Sequence, residues 1–240
     1  MQKSYLNILA LSIYALLLLL LVYLFFSTFS ISEIKSLEFL VIIRDAFDQN
    51  ALNYYPIKAL SIFLISLFWA FFLGFNAPIA IFSGMILGTY MGTFISVIGL
   101  TLGSGLLYLF AQFFFKENIS SLFNKRYQSV RYLFHQNELI FFILYRLFVG
   151  IPFGLSNLIA ILFNARVINF LLGTAIGILP SVFIWASIGR GFDKILIENE
   201  GIPRFIDILN SEEVRIPLII FVIFVLVIFI SKKIINAQKN

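Results

Sequence analysis

Long apolar runs separated by short polar connectors dominate the chain, and most runs are long enough to cross a bilayer. The first run exceeds the ~7–15 residues of a signal-peptide core and precedes no A-x-A-like cleavage site, so it predicts an uncleaved anchor. A spanning helix needs ~20 mostly apolar residues. The pattern predicts five spans: Tyr5–Phe29, Ile57–Phe75, one that ends near Phe115, Asn169–Ile188 and Pro217–Ile230.

The segment from Ala59 to Phe115 contains no charged residue. Its length corresponds to ~85 Å of helix at 1.5 Å per residue, against a hydrocarbon core of ~30 Å. That is too long for two simple spans and too short for three spans with loops. Because Asn76-Ala77-Pro78 interrupts the run, we expect a short re-entrant arm at Ala77–Met91 between two full spans.

A second broken segment is Leu139–Val167. It is apolar, yet it carries residues that an uninterrupted spanning helix does not need: Arg146, Gly150, Pro152, Gly154 and Asn157. A cation at the bilayer centre costs ~2.5–3.5 kcal/mol on insertion scales, and broken backbone is tolerated there only against protein or a wet cavity. The pattern predicts a second re-entrant hairpin, near residues 139–165, that forms part of a path for something polar.

Glycines recur at helical spacing in the apolar segments. Small residues four apart allow membrane helices to approach backbone to backbone, and proline in a helix interior promotes a kink. We expect packing or hinge roles for Gly84, Gly88, Gly92, Gly99, Gly103, Gly150, Gly154, Gly173, Gly177 and Pro180.

Polar connectors separate the apolar segments. Ser32–Tyr55 predicts an amphipathic helix that lies in the interface, and Arg190–Arg215 predicts a mixed-charge loop. Lys116–Asn137 interleaves aromatic and basic residues at headgroup level. Its basic residues either contact lipid headgroups or only determine the topology: Lys116, Lys125, Arg126 and Arg131. Counted over all connectors, eleven basic residues including Arg44 fall on one side and five including Arg190 on the other, which favours a cytoplasmic C-terminus.

Composition agrees with a membrane protein. The chain is 61% hydrophobic and 12% charged, whereas soluble domains are ~45–50% apolar and ~25% charged. We expect a single membrane domain over 1–240, with an anchor and interfacial helix at 1–56, a core at 57–190, and a loop with the last span at 191–240. The absence of cysteine and the isolated His135 predict no metal and no cofactor. A net charge of +5 indicates anionic headgroups as partners rather than nucleic acid.

An ordered set of residues resembles the VTT-domain proteins, also called SNARE-associated Golgi proteins, of the DedA superfamily. The set comprises Pro78, the glycines from Gly84 to Gly103, Tyr145-Arg146-Leu147, Pro152-Phe153, Asn157, and Gly173, Gly177, Pro180 and Gly189. The resemblance covers roughly residues 57–190. It implies an all-α membrane fold of about five transmembrane helices plus two re-entrant hairpins that face each other from opposite leaflets.

Members of this family are linked to moving phospholipid or polyprenyl-phosphate headgroups across the bilayer, as scramblases or flippases. The chain departs from the family pattern in three places. Gln112 stands where the resemblance leads us to expect an arginine, and of the Asn-Tyr…Gly that usually follows Pro-Phe only Asn157 is kept, with Leu158 and Ile161 in the other positions. The embedded acids linked to proton coupling in some members have no counterpart between Ala59 and Phe115. Passive translocation therefore fits better than proton-coupled transport.

Three functional hypotheses follow. In the first, the chain translocates lipids: the planar fork of Arg146 binds a headgroup phosphate, and the path is lined by Asn157, Pro152, Phe153, Pro78 and Gln112. Alternatively Arg146 is structural, capping broken-helix carbonyls or holding Asn157 or Gln112. The second hypothesis is a secondary transporter for a small solute or ion, and the third a non-transporting scaffold.

An enzyme is the least expected class, because the apolar segments hold no His–carboxylate pair, Ser–Lys pair or metal set. We expect membrane lipids as partners and a bacterial plasma (inner) membrane as the location. A homo-oligomer is left open.

Overall fold

The computed structural model describes residues 2–48, 54–72, 75–121, 134, 136–147, 157, 160–199 and 202–223, and all regular structure within these ranges is helical. Residues 212–223 form a helical stretch at the end of the described chain. The preceding helices are α1 Gln2–Thr28, α2 Ile31–Ser36, α3 Glu38–Asp48, α4 Tyr55–Phe72, α5 Ala77–Leu87, α6 Thr89–Ser121, α7 Glu138–Leu147, α8 Val167–Asn199 and α9 Phe205–Asn210.

Four of these helices contain segments long and apolar enough to cross a membrane: Tyr5–Thr28, Tyr55–Phe72, Thr89–Phe114 and Val167–Glu198. They belong to α1, α4, α6 and α8, and they confirm the prediction of an all-helical membrane protein. The fifth predicted span, Pro217–Ile230, is described only as far as Ile223, where it is helical.

The centre of the fold is an antiparallel pair of long helices, α6 and α8. Gly105 of α6 faces Leu171 near the start of α8, whereas Leu100 shares a buried cluster with Ile178 further along α8. Helix α8 continues through Pro180 without ending. Its length provides the surface on which the two short helices α5 and α7 lie.

Helix α5 has 11 residues, which is ~16 Å or about half of the hydrocarbon core. Its backbone touches that of α8: a Cβ atom on Gly84 would overlap the Ala186 carbonyl oxygen, and one on Gly189 would overlap that of Ile81. At Gly88 the chain turns into α6 with φ +80°, a conformation that glycine adopts without strain. The predicted arm at 77–91 therefore ends at Leu87, and Met91 belongs to α6.

Helices α4 and α6 run parallel, in contact through two predicted packing glycines. A Cβ on Gly99 would lie 2.8 Å from the Phe63 carbonyl oxygen, and one on Gly103 would overlap that of Leu67. Two consecutive full spans joined on the far side of the membrane would instead be antiparallel. Because α5 leads the chain back before α6 begins, α4 and α6 run in the same direction.

This parallel arrangement corrects the predicted distribution of charges. Arg44 of α3 donates from Nε to Asp193 Oδ1 at 2.7 Å, and Arg190 donates from Nη1 to Asp193 Oδ2 at 2.9 Å. Two arginines that share one carboxylate lie on the same side of the membrane. The sequence count, which placed them on opposite sides, was wrong because an unbroken apolar run does not show where the chain reverses.

The interfacial connector is helical, as predicted. Ser30, two residues before the predicted start at Ser32, caps α2 in a capping box with Glu33. The hydrogen bonds from Ser30 lower the pKa of the exposed Glu33 carboxyl. Helix α3 buries Leu40 and Phe47 against the core.

Most of the loop predicted over Arg190–Arg215 is helical, because α8 extends to Asn199, α9 covers Phe205–Asn210 and residues 212–215 begin the last helical stretch. Helix α8 continues because Phe192, Ile195 and Leu196 form an apolar face that packs in one cluster with Leu40.

Candidate functional site

Helix α7 lies along the first half of α8 and runs in the same direction. Glu138 at its start is 5% exposed, and its Oε2 accepts from the Arg166 backbone N–H at 3.1 Å and from Asn169 Nδ2 at 2.8 Å. A carboxylate is favoured at the amino end of a helix, where the backbone N–H groups point. The sequence analysis assigned no role to Glu138; its position before an apolar run and the polar Asn169 were the available signals.

Two glycines of α8 allow the close approach of α7. A Cβ on Gly173 would overlap Phe142 Cβ, and one on Gly177 would lie 2.5 Å from Arg146 Cβ. These contacts place Arg146 about ten residues along α8, or ~15 Å from its start. The arginine therefore lies at membrane depth.

Arg146 is 7% exposed and hydrogen-bonds two neutral side chains. Its Nη2 donates to Asn157 Oδ1 at 2.6 Å and to Thr174 Oγ1 at 3.3 Å, and its guanidinium carbon lies 5.7 Å from the centroid of the Phe170 ring. The contact with Asn157 is one that the sequence suggested. Thr174 was missed, because a threonine in an apolar helix carries no signal of its own.

Asn157 is fully buried. Its Oδ1 accepts from Arg146, while its Nδ2 is buried and has no hydrogen-bond partner among the described residues. A buried donor left unsatisfied costs ~1–3 kcal/mol. The pair thus presents N–H donors from two side chains at one place in the membrane, a set that suits an oxyanion.

The remaining predicted path residues lie elsewhere or are not described. Gln112 Nε2 donates to Asn164 Oδ1 at 3.1 Å, so it holds the turn before α8 and not Arg146. Pro78 is in the first turn of α5 and lines an apolar cavity. Outside the described residues lie Gly150, Pro152, Phe153, Gly154, Lys125, Arg126 and Arg131. Lys116 belongs to α6, and its side chain is not described either.

Tyr108 supports the same turn as Gln112. It is fully buried, its hydroxyl donates to the Ala165 carbonyl at 2.7 Å, and its ring centroid lies 5.4 Å from that of Phe170. Since Phe170 also faces Arg146, Tyr108 helps to fix the wall of the site.

The amino end of α5 lies further along α8. Asn76 Nδ2 donates to Ser181 Oγ at 3.2 Å, which is fourteen residues or ~21 Å from the start of α8. Helix α7 therefore uses the first half of α8 and α5 the second half. Within the described ranges no group of three His, Cys, Asp or Glu side chains could hold a metal ion.

These features define an integral membrane protein in which two half-length helices, α7 and α5, pack on the first and second halves of one long helix, α8. Residues 75–191 match the VTT domain family. The matched segment runs from just before α5 to Gly191 in α8. This match confirms the resemblance seen in the sequence: residues 75–191 are a VTT domain, in a membrane protein of the DedA type. In the comparisons with curated proteins and with solved structures, nothing matches the chain.

Proposed function

We propose that this VTT-domain protein is a lipid translocator that moves phosphate-bearing headgroups, of phospholipids or polyprenyl phosphates, across a bacterial plasma membrane. It would act as a passive scramblase and not as an enzyme. The observation that carries the proposal is Arg146, a buried arginine at membrane depth whose described hydrogen bonds go to Asn157 and Thr174.

The chemistry of Arg146 favours a phosphate. Ionisable residues inside membrane segments are expensive and commonly mark substrate or ion pathways. The bonds to Asn157 and Thr174 orient the guanidinium without contributing negative charge. A planar guanidinium binds two oxygens of a phosphate in a fork, and Asn157 Nδ2 would add a further donor.

The two half-length helices give further support. Transporters place their sites where discontinuous helices end near the bilayer midplane. Helices α5 and α7 have 11 and 10 residues and both pack on α8, so we propose that they are the two re-entrant elements. The turn of the second element falls outside the described residues.

We further propose that transport is not coupled to protons. No acidic residue occurs from Ala59 to Phe115, which covers nearly all of α4, all of α5 and the apolar part of α6. Glu138 is acidic but already accepts two hydrogen bonds at the amino end of α8.

Reconstitution in liposomes tests the proposal. Vesicles would carry either a fluorescent phospholipid or a fluorescent glycolipid that lacks phosphate, and an impermeant quencher would be added outside. We expect the protein to expose more than half of the phospholipid to the quencher. Arg146→Gln should slow phospholipid movement at least tenfold, and Arg146→Lys less, because lysine keeps the charge but loses the fork.

A matched control is Arg204→Gln, which removes an arginine whose side chain is 81% exposed in the segment before α9; it should scramble like the wild type. Quenching that stops at half, as in empty vesicles, would refute translocation. Uptake of a solute without lipid movement would favour the secondary transporter. A protein that moves neither lipid nor solute would favour the scaffold. If Arg146→Gln slows both tagged lipids equally, Arg146 is structural.

A further inference from the structure

The first transmembrane helix leaves a cleft along α4. Nine side chains from α1 and α4 line it, all of them apolar, and its volume is about 570 Å³. Leu21 and Phe26 line the α1 side and Leu64 and Phe68 the α4 side. Phe26 and Phe68 are well exposed, so the cleft opens sideways toward the surrounding hydrocarbon.

A second cavity of about 350 Å³ lies behind the cleft and shares Phe25, Ile65 and Trp69 with it. It reaches Pro78 in the first turn of α5. Its polar lining atoms are already bonded within the protein: Ser66 Oγ donates to the Ile62 carbonyl at 2.6 Å, and Trp69 Nε1 to that of Phe75 at 2.6 Å.

Helix α1 is fastened to the rest of the chain at both ends of the cleft. At one end the Tyr14 hydroxyl is shared between the Phe71 and Phe72 carbonyls, at 2.9 and 3.1 Å. At the other end the Phe29 ring lies 6.0 Å from that of Phe39. Between these points α1 stands away from the core, since no residue in the most apolar stretch of Tyr5–Thr28 is buried inside the protein.

We propose that this cleft and the cavity behind it bind an acyl chain of a membrane phospholipid. The site is distinct from Arg146, and a lipid could be held there whether or not the protein translocates lipid. Water is excluded as the occupant because it needs 2–4 polar partners. A void of this size would also leave its lining without contacts.

A helix from a second copy of the chain, ~10 Å across, would have to enter between α1 and α4. These two helices are held at both ends of the cleft by the Tyr14 and Phe29 contacts. A flexible hydrocarbon chain fits a narrow, wholly apolar slot, and the bilayer supplies it at high concentration.

Trp69 reports on the site, because it lines both cavities and the sequence has only two tryptophans. The full chain would be placed in bilayer discs of phosphatidylcholine with bromine on mid-chain carbons, which quenches tryptophan on contact. Trp185→Phe removes the other emission. If that variant does not fold, the difference between the wild type and Trp69→Phe gives the same signal.

We expect brominated lipid to lower the Trp69 emission at least twofold relative to unbrominated lipid. Filling the cleft with Val22→Phe and Leu64→Phe should restore at least half of the lost emission. Leu19→Phe, at an exposed α1 position outside the cleft, should restore none. Val22→Phe alone serves if the double variant does not fold, because α1 contributes little to the core.

Trp69 that keeps its emission in brominated lipid would overturn the proposal. If Trp69 is unquenched and α1 crosslinks between two chains, a second copy occupies the cleft instead. The proposal would also be overturned if the filling variants were quenched as strongly as the unfilled protein, since Trp69 would then be in contact with bulk lipid. None of these results depends on lipid movement, so the acyl-chain site and the translocation proposal can fail separately.

Discussion

Replacing Gly84 by alanine would place a methyl group inside the contact between α5 and α8. The new Cβ would overlap the Ala186 carbonyl oxygen and lie 2.5 Å from the Ala186 carbonyl carbon and Cα. Carbon atoms pack at ~3.5–4.0 Å, so the two backbones would have to separate by ~1 Å. Neither can yield locally, because both are helical at this point.

Two opposing effects set the size of the change. Alanine is favoured over glycine in a helix by ~1 kcal/mol, whereas overpacking a well-fitted contact costs ~1–3 kcal/mol and occasionally more. Since backbone and not a side-chain tip must move at Gly84, we expect the upper part of that range and a net loss of ~2 kcal/mol. At ~2–4 °C per kcal/mol for a chain of this size, the melting temperature should fall by ~4–8 °C.

Gly105→Ala is the matched control, because it makes the same substitution in α6. There the new Cβ would lie 2.7 Å from Leu171 Cδ2, the end of a flexible side chain that can rotate away. The helix preference of alanine then prevails, and the melting temperature should stay unchanged or rise by ~2–4 °C. Thermal unfolding of both variants in bilayer discs measures the difference. If Gly84→Ala melts no lower than Gly105→Ala, the close approach of α5 to α8 is not what holds the arm in place.

Three other substitutions test separate contacts by the same melting measurement. Glu138→Gln keeps an acceptor but removes the charge at the start of α8, so we expect a loss of ~1–2 kcal/mol; an unchanged melting temperature would show that α8 does not need the carboxylate. Asp193→Asn removes the carboxylate that Arg44 and Arg190 share and should cost ~1–3 kcal/mol, less than a fully buried pair because both arginines are partly exposed. If Arg44 acts through Asp193, the double variant Arg44→Met/Asp193→Asn should lose no more stability than Asp193→Asn alone. A larger loss in the double variant would contradict the ion pair. Tyr108→Phe deletes only the hydroxyl bonded to Ala165 and should cost ~0.6–1.7 kcal/mol, with an effect below ~0.3 kcal/mol contradicting that bond.

The spans and the breaks could be predicted because they depend on residues that are close together in the sequence. Length and hydropathy identify α1, α4, α6 and α8, and Asn76-Ala77-Pro78 marks where α5 begins. The amphipathic pattern after Ser32 predicts α3, and an arginine in an apolar run indicates a special site. Each of these signals lies within a few residues of the feature that it predicts.

Features that depend on distant partners could not be predicted. An uncharged run has no marker of direction, so the parallel packing of α4 and α6 was not visible in it. Asp193 was counted as a loop charge because its partner Arg44 is 149 residues away. The contact of Arg146 with Thr174 and the bonding of Gln112 to Asn164 likewise depend on how helices meet, not on local pattern.

The seat of α5 on α8 has a consequence for how the chain is made. Gly84 faces Ala186, about a hundred residues further along, so a ribosome adding ~5–20 residues per second reaches that residue ~5–20 s after Gly84. During this interval a half-length helix has no partner for its outer face, and unsatisfied backbone groups at its ends cost several kcal/mol each in hydrocarbon. We therefore expect α5 to wait at the membrane surface or against the insertion machinery, and to enter the bilayer only after α8 has been synthesised.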